Sequence, residues 1–285
     1  MITNIKSMVD AELAGKVRTN MWRKNPSQAT TAGLWFDVSM SPGLPVPKYW
    51  FDAPPGIAKT VAQSTDGGLY HGANVSTATK YLRQTTTRAT VATALPMKMI
   101  LCDYLLYYPS IDDSTTDEQV LDNTVTLPRY TDGEGVQAIA VSVAGRTGGQ
   151  SFYFTYTNSE GVSGRTSRTV IQNSAAALGT IVTTATATNG NTSPFIPLQA
   201  GDTGIRSIDS VFMLGADVGL FTLILVKPLA STAIKEITAP YEKDYFLQDG
   251  IVPEIEDDAY LSFLCLPQGT LAATGILGDI KVVWN

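Results

Sequence analysis

The stretch LPRYTDGEGVQAIAVSVAG, residues 127–145, contains residue types and spacings that carry chemistry in other proteins. Gly133, Gly135 and Ala138 match the dinucleotide-binding pattern G-x-G-x-x-A, in which a helix N-terminus faces a pyrophosphate. That pattern needs a strand before the glycines, a helix after them, and an acidic residue about 20 positions further on. Here Pro128 lies before the glycines, and the run VQAIAVSV, which is typical of a strand, follows them. The sequence therefore predicts a turn that leads into a strand, and it predicts no cofactor.

Acidic residues offer oxygen ligands for a cation, or a carboxylate pair for glycoside hydrolysis. Asp132 and Glu134 lie in one predicted turn, and a second acidic run, EIEDD, occupies residues 254–258. Neither follows the D-x-[DN]-x-[DN]-G order of a calcium loop, and nothing singles out one carboxylate pair. We expect solvated acidic loops at both places, without a metal site.

Nucleophilic catalysis has few candidate residues in this chain. His71 is the only histidine, and the G-x-S-x-G elbow that would supply a serine partner is absent from the sequence. AGRTGGQS departs from a phosphate-binding loop because Gln150 stands where the pattern needs lysine. Cys102 and Cys265 lie in apolar runs, so we expect buried free thiols, with a disulfide left open. We expect no catalytic residue and no enzymatic activity.

Charge and hydropathy limit the classes of partner. The net charge of −6 disfavours nucleic-acid binding, and no apolar run approaches the length of about 20 residues that spans a bilayer. The N-terminus lacks the apolar core of a secretory signal, which predicts synthesis in the cytoplasm. Residues 1–60 carry seven basic and four acidic side chains, whereas residues 101–135 and 236–258 each carry eight acidic and one basic.

Two N-terminal segments are candidates for positioning a binding surface. Residues 4–20 predict an amphipathic helix, capped by Thr3 or Asn4. Its apolar stripe consists of Ile5, Met8, Val9, Leu13 and Val17. Residues 41–56, SPGLPVPKYWFDAPPG, contain five prolines and predict an extended arm. Two interpretations of this arm stay open: a docking element for a partner, or a strap over the core of the chain itself.

Most of the remaining sequence predicts short strands. In SFYFTYT, Phe152, Phe154 and Tyr156 alternate with more polar residues, and TNSEGVSG supplies a turn before RTSRTVI returns. The other predicted strands are KMILCDYLLYY, VQAIAVSV, GTIVTTATAT, SIDSVFML, LFTLILV, AYLSFLCL and GDIKVVW. The predicted fold is mostly β, an antiparallel β-sandwich of jelly-roll type with a short N-terminal helix and an extended proline-rich arm.

A weak internal echo divides the strand-rich part. The first copy consists of YLLYYPSIDD and LPRYTDGEGVQAIAV, and the second consists of LILVKPLAST and VPEIEDDAYLSFLCL. Aligning the two copies pairs Pro109 with Pro228 and Asp132 with Asp257. This predicts an N-terminal docking segment at residues 1–60, a first β-lobe at 61–180 and a second at 181–285; that the two lobes form one continuous domain is the open alternative. Chance similarity of strand and turn chemistry is the alternative, and it stays open.

Several strings resemble a family of tailed-bacteriophage virion structural proteins. These strings are LPRYTDGEGVQ, YTNSEGVSGRTS, SPFIPLQAGDTGIRSI, LVKPLA and PEIEDDAYLSF, and the resemblance covers most of the chain from about residue 30 onward. The resemblance implies a head decoration (cement) or minor capsid protein. It implies a homo-oligomer, with a trimer favoured, that binds the major capsid protein in the phage head and stabilises the lattice. The family provides no motif from which functional residues are transferred.

The residues themselves suggest where such a protein would dock. Residues 1–60 combine a positive balance with large aromatic residues, which anchor interfaces because they bury a large area at a low entropic cost. The predicted interface residues are Trp22, Trp35, Pro45, Pro47, Tyr49, Trp50 and Phe51. The alternative from another class is a tail or baseplate protein that binds a receptor or glycan.

Overall fold

A computed structural model describes residue 2, residues 4–182 and residues 193–285. In these ranges the chain forms three helices and seventeen strands. The helices are α1 (Ile5–Leu13), α2 (Gln63–Asp66) and α3 (Tyr245–Asp249). The strands are β1 (Val17–Lys24), β2 (Phe36–Asp37), β3 (Gly43–Leu44), β4 (Lys59–Thr60), β5 (Lys80–Ala89), β6 (Met97–Asp112), β7 (Gln119–Val120), β8 (Gln137–Ser142), β9 (Ser151–Asn158), β10 (Arg165–Thr166), β11 (Val170–Ile171), β12 (Ile205–Met213), β13 (Leu220–Ile234), β14 (Tyr241–Asp244), β15 (Glu254–Ile255), β16 (Tyr260–Leu266) and β17 (Ile276–Trp284).

A central sheet is built around the two longest strands. Its order is β2-β16-β6-β13-β8, with β4 also paired to β6, and every pairing between these strands is antiparallel. β6 and β13 pair along their whole lengths, from Met97 opposite Ile234 to Asp112 opposite Leu220. β6 reads as a nearly continuous apolar run because both of its faces are covered, and most of its residues are buried.

Two outer sheets flank the central sheet. The first outer sheet has the order β14-β5-β17-β1-β3, with β15 on β5, and the second has the order β10-β9-β12-β7, with β11 on β9. One apolar cluster joins the central sheet to the first outer sheet and includes Met99, Phe263 and Ile280. Another cluster joins it to the second outer sheet and includes Leu223 and Phe154. The predicted antiparallel β-sandwich is therefore confirmed, as two sandwiches that share one sheet.

A buried ion pair lies between these two clusters. Asp103 stands two positions after Leu101 of one cluster and two before Leu105 of the other. Arg129 donates to both carboxylate oxygens of Asp103, from Nε and from Nη2, each at 2.7 Å. The backbone N–H of Tyr260 donates to the same carboxylate at 3.0 Å. Arg129, from the LPRYTDGEGVQ turn, thus ties that turn to two central strands.

The strand order repeats with an internal twofold relation. Five pairs of strands are equivalent: β5 with β12, β6 with β13, β7 with β14, β8 with β16 and β9 with β17. When each strand is replaced by its equivalent, the order β14-β5-β17 of the first outer sheet becomes the order β7-β12-β9 of the second. The same exchange maps β16-β6-β13-β8 of the central sheet onto itself in reverse. The predicted echo therefore has a counterpart in strand pairing. Strands from residues 61–180 and from residues 181–285 occur in every sheet, so the two ranges are interleaved.

Equivalent strands are entered by similar turns. Glu134 bridges to Gly204 next to the start of β12, and Glu254 pairs with Tyr81 at the start of β5. The two glutamates are 120 positions apart, and their partners are 123 positions apart. The sequence pairs Asp132 with Asp257, an offset of 125.

The predicted N-terminal helix is too long. α1 ends at Leu13, and Gly15 adopts a positive φ of 74°, which turns the chain into β1. Asn4 caps the helix as predicted, because its side chain accepts from the Ser7 backbone N–H at 2.8 Å; Thr3 lies outside the described residues. Only Met8 of the predicted apolar stripe is buried.

Two other strand predictions differ from the structure. RTSRTVI returns in two pieces, β10 and β11, rather than as one strand, and most of GTIVTTATAT lies outside the described residues. β5 was not predicted at all, although it pairs with β14, β15 and β17. Its inward residues include Thr85 and Thr87, which are fully buried, so apolar alternation does not reveal it.

The ion pair between Arg129 and Asp103 gives a test of this architecture. We expect Arg129→Met to lower the free energy of unfolding by about 3–5 kcal/mol, because it leaves the Asp103 carboxylate buried without a countercharge. The matched control is Arg168→Met at an exposed position, with an expected change within about 0.5 kcal/mol. The double variant Asp103→Leu/Arg129→Met should recover most of the loss. Equal urea midpoints for the two single variants would contradict this role.

Candidate interface on the proline-rich strap

The proline-rich segment 41–56, called the strap from here on, covers one face of the central sheet. Its Trp50 is completely buried and stacks on Tyr104 of β6, with ring centroids 5.4 Å apart and planes within 3°. Tyr107 and Tyr260 meet the same indole edge-on, at 5.3 and 5.9 Å. The interpretation as a strap over the core of the chain itself is therefore right for this residue.

A buried carboxylate beneath the strap fixes the position of Trp50. Asp37 of β2 accepts hydrogen bonds from the Trp50 indole N–H at 2.7 Å, the Tyr104 hydroxyl at 2.9 Å and the Ser39 backbone N–H at 3.0 Å. The Ser39 hydroxyl also donates to it. Burial raises the pKa of Asp37, and these four donors oppose that rise. A carboxyl group this deep is tolerated because its oxygens are satisfied.

Two lysines hold the strap from its two sides. Lys24 of β1 is buried and donates to the carbonyl oxygens of Ser39 (3.1 Å), Ser41 (3.0 Å) and Pro45 (2.9 Å). Burial lowers the pKa of Lys24 to about 8. Its ammonium group thus joins the carbonyls of Ser41 and Pro45, within the strap, to that of Ser39 just before it.

On the other side, Lys48 bridges two carboxylates, Asp52 at 2.6 Å and Asp66 of α2 at 2.8 Å. Its Nζ also lies 5.3 Å from the Tyr107 ring centroid. The Lys48 and Asp66 side chains are only 7% and 10% exposed, so this pair is shielded from solvent. The strap is consequently attached to β1, β2, β6 and α2.

The structure separates the predicted interface residues into two groups. Trp22, Trp35 and Trp50 are core residues, at 4%, 3% and 0% exposure, so they are corrected here from candidate surface anchors to packing residues. They are buried because they pack against the central sheet; the ring centroids of Trp22 and Phe263, for example, are 5.0 Å apart. Tyr49 is outward, at 47% exposure. Phe51 is also outward, at 46%, while Pro45 and Pro47 are partly buried.

Two outward apolar residues were missed by sequence reasoning. Leu44 and Val46 are 63% and 65% exposed, and they lie on the same segment as Tyr49 and Phe51. The two aromatic rings contact each other, with centroids 5.5 Å apart. The available signal was the alternation of Leu44 and Val46 with prolines in GLPVP. We call Leu44, Val46, Tyr49 and Phe51 the outward set.

The glycine pattern and the acidic turns have structural roles. Gly133 and Gly135 have positive φ, and a Cβ at Gly133 would lie 2.6 Å from the Ile205 carbonyl oxygen. Asp132 accepts from the Glu134 backbone N–H at 3.0 Å, which closes the turn before β8 as the sequence predicted. Within the described ranges, no three His, Cys, Asp or Glu side chains are grouped to hold a metal ion.

His71 belongs to a buried cluster with Lys80 and Asp257. Its Nε2 lies 2.9 Å from the Ala259 carbonyl oxygen and its Nδ1 lies 3.0 Å from Lys80 Nζ, so Nε2–H donates and Nδ1 accepts. Lys80 also approaches Asp257 at 3.5 Å. Burial, and then the charge of Lys80, lower the pKa of His71 to about 4. The imidazole is therefore neutral at pH 7, and its one acceptor nitrogen is occupied by a lysine.

The cysteines are free and buried, as expected. Cys102 lies in the cluster beneath the strap, and Cys265 lies in the cluster against the first outer sheet. Among the helices that the structure describes, none has the length and hydropathy to cross a bilayer.

Comparison with known proteins adds little to this picture. No protein-family model matches the chain, and no curated protein matches it in sequence. Among solved structures, the chain is similar to the infectious bursal disease virus Gt strain, at 10% identity over 94% of this chain and 80% of that chain, with a TM-score of 0.20. T=1 particles derived from infectious bursal virus match at 11% identity over 94% and 78%, with a TM-score of 0.15. Similarity at these TM-scores carries no argument about function.

The hydrogen bond from Trp50 gives a test of how the strap is held. We expect Trp50→Phe to lower the free energy of unfolding by about 1–3 kcal/mol, because Asp37 loses a donor inside the core. The control is Val46→Ser, four positions away and 65% exposed, which should change stability by less than about 0.5 kcal/mol. Chemical denaturation measures both. A Trp50→Phe protein as stable as Val46→Ser would show that Asp37 does not need this donor.

His71 gives a pH-dependent prediction. The pKa of His71 in the folded protein, about 4, lies below the unfolded value of 6.5, so the unfolded chain takes up the proton first. The stability from neutral His71 is complete above pH 6.5 and is lost as the pH falls towards 4, by about 3 kcal/mol in total. His71→Gln should lack this component of the pH dependence.

The direct measurement is an NMR titration of this single imidazole. We expect a midpoint near pH 4. A midpoint close to 6.5, together with equal pH dependence of unfolding in wild type and His71→Gln, would contradict a buried neutral histidine.

Proposed function

We propose that the protein is a structural component of a virus particle and, more specifically, a phage head decoration protein that binds the lattice of the major capsid protein. The observation that carries the proposal is the outward set on the strap. Four large apolar side chains face solvent on a segment that a buried carboxylate, two lysines and a stacked indole hold in place. Within the strap only Gly43 and Leu44 pair with a neighbouring strand, so the fold gains nothing from exposing Val46, Tyr49 and Phe51.

Rigid presentation is what makes such a surface effective. Aromatic and aliphatic anchors contribute most to binding when they are ordered before the partner arrives, because ordering otherwise costs entropy. The network under the strap supplies that order in the free protein. Tyr49 and Phe51 are then able to insert into a pocket of the partner without a change in backbone conformation.

The resemblance of several strings to tailed-phage virion proteins supports the choice of particle. In this proposal the protein forms a homo-oligomer, a trimer, on the outside of the phage head, after synthesis in the host cytoplasm. It stabilises the head through binding alone, without enzymatic activity, a cofactor, nucleic acid or a membrane. Residues 1–60 carry seven basic and four acidic side chains, whereas residues 101–135 and 236–258 each carry eight acidic and one basic.

The test uses point variants, because residues 1–60 contribute strands to two sheets and their deletion would remove part of the core. We expect Tyr49→Ser/Phe51→Ser to weaken binding to purified heads that lack this protein by about tenfold or more. The matched control is Val162→Ser/Leu214→Ser, two residues at 47% and 59% exposure outside the strap. Co-sedimentation with heads measures both variants, and thermal unfolding confirms that both are folded. Equal binding by the two variants would overturn the role of the outward set.

Copy number separates head decoration from the alternative of a tail or baseplate protein that binds a receptor or glycan. Quantitative mass spectrometry of purified particles should give a copy number equal to that of the major capsid protein or a simple fraction of it. A few copies per particle would contradict head decoration and favour the tail or baseplate.

A further inference from the structure

β1 leaves part of the first outer sheet open. On one side it pairs with β17 along its whole length, but on the other side β3 covers only Arg23 and Lys24. Pro45 follows β3 directly and has no N–H with which to extend the pairing. The remaining six residues of the strand, 17–22, therefore form a sheet edge for which the described parts of the chain supply no strand partner.

The hydrogen-bond pattern shows which groups point out of this edge. The Trp284 backbone N–H donates to the Lys16 carbonyl at 3.1 Å, so even-numbered positions of β1 bond to β17. The Asn25 N–H donates to the Pro42 carbonyl at 2.8 Å, so odd-numbered positions face the other way. The N–H and C=O of Thr19 consequently point into the open side, where an added strand would meet them.

An apolar groove runs beside the open edge. It has a volume of about 300 Å³, and its walls come from β1, the strap and the loop after α2. The lining residues are Asn20, Met21, Trp22, Leu44, Pro45, Gly68 and Tyr70. Met21 is 76% exposed, Leu44 63% and Tyr70 46%, which is unusual for apolar groups placed so close together. The groove would receive alternate side chains of a strand paired to β1.

The groups around this groove are donors and cations. Lys16, Arg18 and Arg23 are exposed, and no carboxylate of the described residues lies within ion-pair distance of them. Trp22 Nε1 and Asn20 Nδ2 are buried donors without an acceptor in the part of the chain that the structure describes. An occupant rich in acceptors and negative charge would complement both features.

A second copy of this chain fits the edge poorly. Antiparallel pairing of β1 with itself about Thr19 would place Arg18 of each copy opposite Asn20 and diagonal to Arg18 of the other copy. Long side chains at diagonal positions reach each other, and two guanidinium groups there repel. Charge therefore favours a different, acidic segment over a symmetric dimer.

We propose that the open edge of β1 binds an extended segment of a partner protein, in which carboxylates alternate with apolar side chains, by strand addition. The backbone of the segment pairs with Thr19 and its neighbours, its apolar side chains fill the groove, and its carboxylates meet Lys16, Arg18 and Arg23. The site is distinct from the Tyr49 and Phe51 surface. It stands on the geometry of the sheet edge, whatever particle contains the protein.

The test uses a labelled synthetic peptide, acetyl-Asp-Val-Glu-Val-Glu-Val-Asp-amide, and its charge-reversed counterpart with lysine at each acidic position. Fluorescence anisotropy with the full chain should show binding of the acidic peptide at least about tenfold tighter than that of the basic one. Added salt should weaken the acidic complex. Equal binding of the two peptides, or no binding of the acidic one, would overturn the proposal.

Thr19→Pro removes one outward N–H without removing a bond to β17, and it should weaken binding of the acidic peptide by about tenfold or more. The matched control is Val120→Pro in β7, an edge strand of the second outer sheet. The Leu121 N–H bonds to Asp209, so the Val120 N–H points outward. Val120→Pro should bind like wild type, and thermal unfolding establishes that both variants are folded.

Sedimentation velocity tests the competing occupant. The wild-type chain should show no self-association that Thr19→Pro abolishes. Self-association that depends on Thr19 would overturn the proposal in favour of a second copy at this edge, as would unchanged peptide binding by Thr19→Pro.

Discussion

The antiparallel pairing of β6 with β13 is the contact on which the rest of the structure depends. These two strands bring the two outer sheets onto one central sheet, and each outer sheet in turn contains strands from both halves of the chain. Leu106 opposite Leu225 lies near the middle of the pair, where the twofold relation of the strand order has its centre. Because the halves exchange strands in this way, neither half has a complete sheet of its own.

The same arrangement explains where polar groups are buried. The central sheet is covered on both faces, so polar side chains that fall on it must find partners inside the protein. Asp103 forms an ion pair with Arg129 on one face, and Asp37 accepts hydrogen bonds from Trp50 and Tyr104 on the other. The first pair fixes the turn before β8, and the second fixes the strap. The exposed surface of the strap is thus ordered by buried polar groups beneath it.

Sequence reasoning predicted the elements whose periodicity comes from apolar residues. β9 was visible because Phe152, Phe154 and Tyr156 alternate with more polar residues, and β6 was visible because it is apolar throughout. β5 was not visible, since Thr85 and Thr87 carry its inward face and threonine does not mark burial. The predicted helix was too long because apolar periodicity alone does not show that the chain turns at a glycine.

The candidate site was predictable only as a segment. Composition identified residues 41–56 as extended and aromatic, but it could not tell that Trp50 turns inward while Tyr49 and Phe51 turn outward. That difference is set by Asp37 and Tyr104, which are distant in sequence and reach Trp50 only through tertiary contact. The edge of β1 was hidden for a related reason, because its strand was read as part of a helix.

The central claim is that this fold serves as a building block of a virus particle and presents its strap to the shell. A cryo-electron microscopy reconstruction of purified particles tests this claim most directly. The account predicts density for the three sheets on the outside of the head, repeated with the symmetry of the lattice, with Tyr49 and Phe51 against a major capsid subunit. Density confined to the tail or baseplate, or a head without this chain, would contradict it.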